Sequence, residues 1–132
     1  MIGLGGIRTV DIKKNASGAE YFLIVSKITD AAHYVFSELA KENHLMGLSF
    51  EAFVQRLAYF YDQINYIHPF REGNGRAQRI FWTRVAHDAG YEINWDEVVG
   101  DENDDASRLA AETLDRSALE AMFAKIIKPL SP

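Results

Sequence analysis

Residues 68–79 read His-Pro-Phe-Arg-Glu-Gly-Asn-Gly-Arg-Ala-Gln-Arg, and this segment constrains the fold more than any other part of the chain. Helical apolar spacing runs up to it and resumes after it. Pro69 lacks an N–H and restricts His68 before it, so a helix has to end there. Gly73-Asn74-Gly75 then supplies a turn, with Asn74 suited to cap the helix that follows. Backbone N–H groups at such a helix start point outward and favour an anion. Arg76 and Arg79 are three residues apart and fall on one face of the first turn. The segment thus predicts two helices joined by a phosphate cradle, with a titratable base, His68, at its entrance.

The flanking sequence supplies the other elements. Val10 and Ile12 alternate with Asp11 and Lys13, and Tyr21-Phe22-Leu23-Ile24-Val25 favours strand. With Lys14-Asn15-Ala16-Ser17-Gly18 as turn residues, residues 7–25 read as a β-hairpin. Thr29 or Asp30 is the expected cap of a first helix, with Val35, Phe36, Leu39 and Ala40 on its apolar side and an end near Asn43. Leu45-Met46-Gly47 reads as a connection. Ser49 caps a second helix, whose apolar positions are Phe50, Phe53, Val54, Leu57, Ala58, Tyr61 and Ile64. Tyr59, Phe60 and Tyr66 widen that face, which suits a central helix packed on several sides better than a stacking platform for bases. Beyond the motif, Ala77, Ile80, Phe81 and Val85 carry a helix to Ala89, with Gly90 past its end. Asp101–Asp105 is acidic but lacks Ca²⁺-loop spacing, and reads as a solvated lead into a helix. Ser117-Ala118-Leu119-Glu120 has the capping-box pattern. Leu119, Met122, Phe123, Ile126 and Ile127 follow, and Pro129 lies past the end.

Composition narrows the function classes. The chain has 132 residues, 48% of them hydrophobic, a size and balance suited to one folded domain. Its formal charge of −5 gives no electrostatic footprint for nucleic acid. No apolar run is long enough to cross a bilayer, and the first residues lack the pattern of a secretory signal. With no cysteine there is neither a disulfide nor a thiolate metal site, which fits the cytoplasm. No repeat or linker divides the sequence, and one domain over 1–132 is expected.

The motif resembles the signature of Fic-domain proteins, His-Pro-Phe-x-(Asp/Glu)-Gly-Asn-Gly-Arg-x-x-Arg, and matches it at every fixed position. The resemblance implies a mainly α fold, a Fic-type helical bundle with one β-hairpin flap upstream of the active-site loop. Gly6-Ile7-Arg8-Thr9-Val10 resembles the first flap strand. In the family the flap holds the target protein in extended form, which makes the 7–25 hairpin the expected dock for a protein partner. Family members usually carry helical sequence before the flap, and those N-terminal helices are expected to be missing here.

The resemblance also implies a chemistry: transfer of AMP from ATP to a hydroxyl of a target protein, releasing pyrophosphate, by a bacterial-type toxin or effector. It would act in the cytoplasm of the producing cell, or of a host cell if delivered. His68 is the expected general base, since histidine titrates near neutral pH and a hydroxyl needs its proton removed. By family match Glu72 holds Mg2+ between the α- and β-phosphates. Asn74 and the amides around Gly73 and Gly75 form the anion hole, where the missing Cβ lets backbone approach phosphate. Arg76 and Arg79 clamp the β- and γ-phosphates through their guanidinium forks. Arg71 and Gln78 occupy variable positions and carry no assigned role. His33, His44 and His87 lack comparable surroundings.

Other readings stay open on the same residues. Doc-type relatives have Lys where this chain has Gly75 and transfer the γ-phosphate, so Gly75 favours nucleotide transfer. Nothing in the motif excludes UMP. A non-catalytic interaction module is the remaining class, against which His68, Arg76 and Arg79 are all present. Many Fic proteins are also braked by a helix with Ser/Thr-x-x-x-Glu-Gly/Asn, whose glutamate pairs with the last arginine of the motif. Here Ser37 is followed by Glu42-Asn43 one residue too late, a rotation of about 100° on a helix. Ser107 misses in the same way, with Ala111 where glutamate is needed. Arg79 is then unpaired within the chain and open to ATP, unless a small antitoxin-like inhibitor protein supplies a glutamate in trans.

Overall fold

The computed structural model describes residues 25–67 and 74–130, with side chains from Asp30 onward in the first stretch and from Arg76 in the second. The first helix, α1, runs Val25–Lys41 and buries Ala32, Val35 and Leu39, at spacings of three and four. It starts four residues before Thr29, so Val25 belongs to a helix and not to the expected hairpin. The rest of the 7–25 hairpin lies outside the described residues. Ala40, expected on the apolar side, is exposed.

A left-handed turn follows, in which Asn43, His44 and Leu45 have φ of 56°, 52° and 64°. Such backbone is costly for residues with a Cβ. Burial of the Leu45 side chain, which is wholly covered, offsets that cost. Leu45 is therefore a core residue and not merely part of a connection.

Helix α2, Phe50–Ile67, is the centre of the molecule and packs against α1 and two later helices. The Ser49 hydroxyl accepts the Ala52 amide at 3.3 Å, the cap expected there. Phe53, Val54, Leu57, Ala58, Phe60, Tyr61, Ile64 and Ile67 are buried. Tyr66 is not part of that face; it is 61% exposed.

Helix α3, Asn74–Asp88, begins at Asn74 itself, one residue earlier than a cap at that position would place it. Its buried positions are Gln78, Trp82, Val85 and Ala86. Ile80, expected in the core, lies about 200° round the helix from Gln78 and is 56% exposed. Apolar character alone had suggested it; the phase is set by Trp82. Gly90, at φ 93°, turns the chain after α3 as its position predicts.

A two-stranded antiparallel sheet, absent from the sequence reading, joins β1, Tyr91–Ile93, to β2, Ile127–Pro129. Glu92 faces Lys128, and Ile93 faces Ile127. The ladder extends at both ends, with Asn94 N–H donating to the Ile126 carbonyl at 2.8 Å and Leu130 N–H to that of Gly90 at 3.0 Å. Three-residue strands are too short to leave an alternating pattern.

Between the strands lie a 3-10 turn at Trp95–Glu97, helix α4 over Glu102–Thr113 and helix α5 over Ser117–Ile126. Ala106 and Ala110 of α4 let α5 approach closely, and Leu119, Met122, Phe123 and Ile126 of α5 fill the core beneath α2. The acidic cluster does open α4, and two of its carboxylates are matched: Glu102 by Lys125 and Asp105 by Arg108. The capping box at Ser117 does not form. Ser117 is the first residue of α5, and its N–H donates to the Asp115 carboxylate at 2.9 Å. Those hydrogen bonds from Ser117 hold the Asp115 pKa below its usual value.

Candidate functional site

The buried Ile67 ends α2, and α3 resumes at Asn74, so the motif loop is strung between two helix ends. His68, Glu72 and Gly73 lie outside the described residues, as does the side chain of Asn74; the backbone of Asn74 and Gly75 opens α3. Arg76 and Arg79 are both exposed in the first turns of that helix. Among the described residues neither makes an ion pair.

What aligns the two helix ends is a line of hydrogen bonds through the core behind the motif. Gln78, placed between the two arginines in sequence, points inward and is 2% exposed. Its amide nitrogen donates to the Asn65 side chain of α2, and its amide oxygen accepts the Trp82 indole N–H at 2.8 Å. Asn65 Nδ2 donates in turn to Ser107 Oγ at 3.3 Å. Asn103 Oδ1 accepts from both Ser107 Oγ at 3.3 Å and the Tyr61 hydroxyl at 2.9 Å. The line runs Trp82, Gln78, Asn65, Ser107, Asn103, Tyr61, and crosses α3, α2 and α4. A buried amide such as Gln78, paired through the half-buried Asn65 and Asn103, favours one register between the helices, because a slip leaves polar groups unpaired.

A second group supports Arg79 directly. Its guanidinium carbon lies 5.5 Å from the centre of the Trp95 ring. The Trp95 indole N–H donates to Thr83 Oγ1 at 2.8 Å. Tyr61 and Phe123 pack on Trp95, with ring centres 6.3 and 5.9 Å away, and touch each other at 5.0 Å. Burial raises the Tyr61 pKa, while the positive charge of Arg79 opposes that rise.

Glu42, the carboxylate nearest to a brake in the sequence, is engaged elsewhere. Arg56 of α2 donates to both of its oxygens, at 2.9 and 2.5 Å, and this holds the Glu42 pKa down. Among the described residues no group of three His, Asp or Glu side chains could hold a metal ion.

In the sequence alone Gln78, Asn65, Trp95 and Asn103 carry no role, and Ser107 enters only as the start of a brake helix. A signal existed for the first: Gln78 is four residues before Trp82, in the core phase of α3, where a polar side chain has to find buried partners.

Arg76 and Arg79 are thus two exposed guanidinium groups in the first turns of a helix, with residues 68–73 between it and the end of the helix before. Residues 3–86 match the Fic/DOC family. The chain belongs to that family. It is 39% identical over 123 residues to the "Probable protein adenylyltransferase Fic" of Salmonella typhimurium, an alignment covering 93% of this chain and 60% of that protein. Over 94 residues it is 43% identical to the "Protein adenylyltransferase VbhT" of Bartonella schoenbuchensis, covering 71% of this chain and 19% of that one. Among solved structures, the Bartonella tribocorum effector BepC with bound AMPPNP superposes with a TM-score of 0.84 at 26% identity. That match covers 94% of this chain and 59% of BepC. This chain thus spans about three fifths of the Salmonella relative and of BepC. The mainly helical architecture is that of the Fic fold.

Proposed function

We propose that this Fic-family chain is a protein adenylyltransferase of the toxin or effector type, which moves AMP from ATP to a hydroxyl side chain of a target protein. The observation that carries the reading is the exposed pair Arg76 and Arg79 at the start of α3, without a carboxylate among the described residues to neutralise them. Two uncovered guanidinium groups beside a helix N-terminus suit a polyphosphate. The relatives named as adenylyltransferases and the AMPPNP-bound neighbour support ATP as the substrate.

In this reading His68 removes the hydroxyl proton as the oxygen attacks the α-phosphorus. The bond from that phosphorus to the bridging oxygen breaks, and pyrophosphate leaves with the electron pair. Arg76 and Arg79 hold the β- and γ-phosphates in line and meet the charge that develops on the leaving group. Asn74 and the amides at Gly73 and Gly75 receive phosphate oxygens at the helix start. Glu72 would hold Mg2+, whose chemistry when bound is to offset charge between the phosphates; one carboxylate plus phosphates and waters is an ordinary magnesium shell. The target docks along the hairpin expected ahead of α1, and an antitoxin-like protein that offers a glutamate to Arg79 is the partner suited to restrain the enzyme. The reaction takes place in the cytoplasm of the producing cell, or of a host cell after delivery.

The test is incubation of the chain and Mg2+ with a cell lysate and ATP labelled at either the α- or the γ-phosphate, with His68→Ala in parallel. Protein should gain label from α-labelled ATP only, and His68→Ala should lower the rate about 10²–10⁴-fold while still binding ATP. Label from γ-labelled ATP alone would make the reaction phosphoryl transfer. Label from neither, with UTP also silent, would make the chain an interaction module.

A further inference from the structure

We infer that Trp95 is a positioning residue that sets the Arg79 guanidinium for its phosphate. The inference rests on the reading that Arg79 binds nucleotide, and adds what holds it in place. An arginine on a surface helix ordinarily samples many rotamers, and fixing it on binding costs free energy. Here the guanidinium lies against an indole face, 5.5 Å from the ring centre. A guanidinium held over a ring still has N–H donors to offer a phosphate, so the cation–π contact and phosphate binding do not compete. The indole is itself held on three sides, by the Thr83 hydroxyl at 2.8 Å and by the Tyr61 and Phe123 rings. Tyr61 is tied to α4 through Asn103. The support for Arg79 therefore comes from the 3-10 turn, α2 and α5, outside the motif.

The experiment measures Mg·ATP affinity by calorimetry for the wild type, Arg79→Ala, Trp95→Leu, Trp95→Phe, Thr83→Val and the double variant Arg79→Ala/Trp95→Leu. Arg79→Ala should weaken binding about tenfold or more. Trp95→Leu should weaken it about two- to fivefold, which is an exposed cation–π contact of about 0.5–1 kcal/mol expressed in affinity. Trp95→Phe, which keeps an aromatic face, should recover most of that loss. In the Arg79→Ala background Trp95→Leu should have no further effect, because its influence passes through the arginine. Thr83→Val frees the indole without removing it, and should give part of the Trp95→Leu loss even if that variant folds poorly.

Fluorescence gives a readout that a merely structural role would not move. The chain has two tryptophans; Trp82 is buried with its indole N–H on Gln78, and Trp82→Phe leaves Trp95 as the one indole observed. Addition of ATP should then shift the Trp95 emission where Arg79 is intact and leave Arg79→Ala unchanged. Equal losses from Trp95→Leu in both backgrounds, or none in the wild type, overturn the positioning role while leaving Arg79 as a phosphate ligand. An Arg79→Ala protein that binds ATP normally overturns both.

Discussion

Asp62 is a carboxylate almost fully covered on the central helix, 6% exposed. The nearest nitrogen of Arg116 lies 3.9 Å from its carboxylate, the outer limit of an ion pair. Burial raises the Asp62 pKa, and the positive charge of Arg116 opposes the rise. A carboxyl group whose folded-state pKa lies above its unfolded value binds its proton more tightly in the folded protein. Ionising it therefore costs stability, a cost that grows as pH rises from the unfolded value of about 3.9 through the folded one. Asp62→Asn removes the charge and keeps the shape. It should melt above the wild type at pH 7, with the difference closing as pH falls and gone below about pH 4. Melting curves of both proteins across that range check this. A variant less stable at pH 7 would show that the attraction of Arg116 outweighs burial. The nearest counterpart, Glu42, shifts in the other direction because Arg56 donates to it, and its contribution is lost as pH falls.

At the scale of elements, α3 is held to α2 by the Gln78–Asn65 bond near its start and to α5 by the strand pairing just past its end. Gln78→Met keeps the length of the side chain but strands the Trp82 indole N–H in the core and unpairs the half-buried Asn65 amide oxygen. A buried group left without a partner costs about 1–3 kcal/mol, and a loss in that range is expected. Chemical denaturation measures it, and a loss under about 0.5 kcal/mol would mean that the line of hydrogen bonds does not hold the helices. These elements also mark how far the sequence could be read. The apolar positions of α2 from Phe53 to Ile64 were legible because a helix buried on several sides repeats its pattern for five turns. The ends of elements were not. Val25 has the β-branched character of a strand but lies in a helix, and Ser117 has a capping-box pattern that Asp115 pre-empts. At the site, the motif made Arg76 and Arg79 legible. Trp95, Asn103 and Ser107 were not, since their relation to the arginines exists only after α4 and α5 have folded back on α2.

For the molecule as a whole, the question is whether it restrains itself. Glu42 is half-buried against Arg56, whose guanidinium also lies over the Tyr59 ring at 4.5 Å. Glu42→Ala should leave ATP affinity and transfer unchanged and cost no more than about 1 kcal/mol of stability, the range for a pair near the surface. A sharp rise in transfer would instead show that this carboxylate reaches Arg79 in solution. The β1–β2 pairing has a consequence of another kind. It brings the entry and the exit of residues 94–126 side by side, so this stretch is a cassette with a single stem. The cassette begins beyond the residues matched to the family, yet it carries Trp95, Asn103, Ser107 and Phe123, the side chains that brace Arg79 and the end of α2. The grip on a nucleotide thus depends on side chains far along the chain from the signature, and loosening the β1–β2 stem would be felt at Arg79.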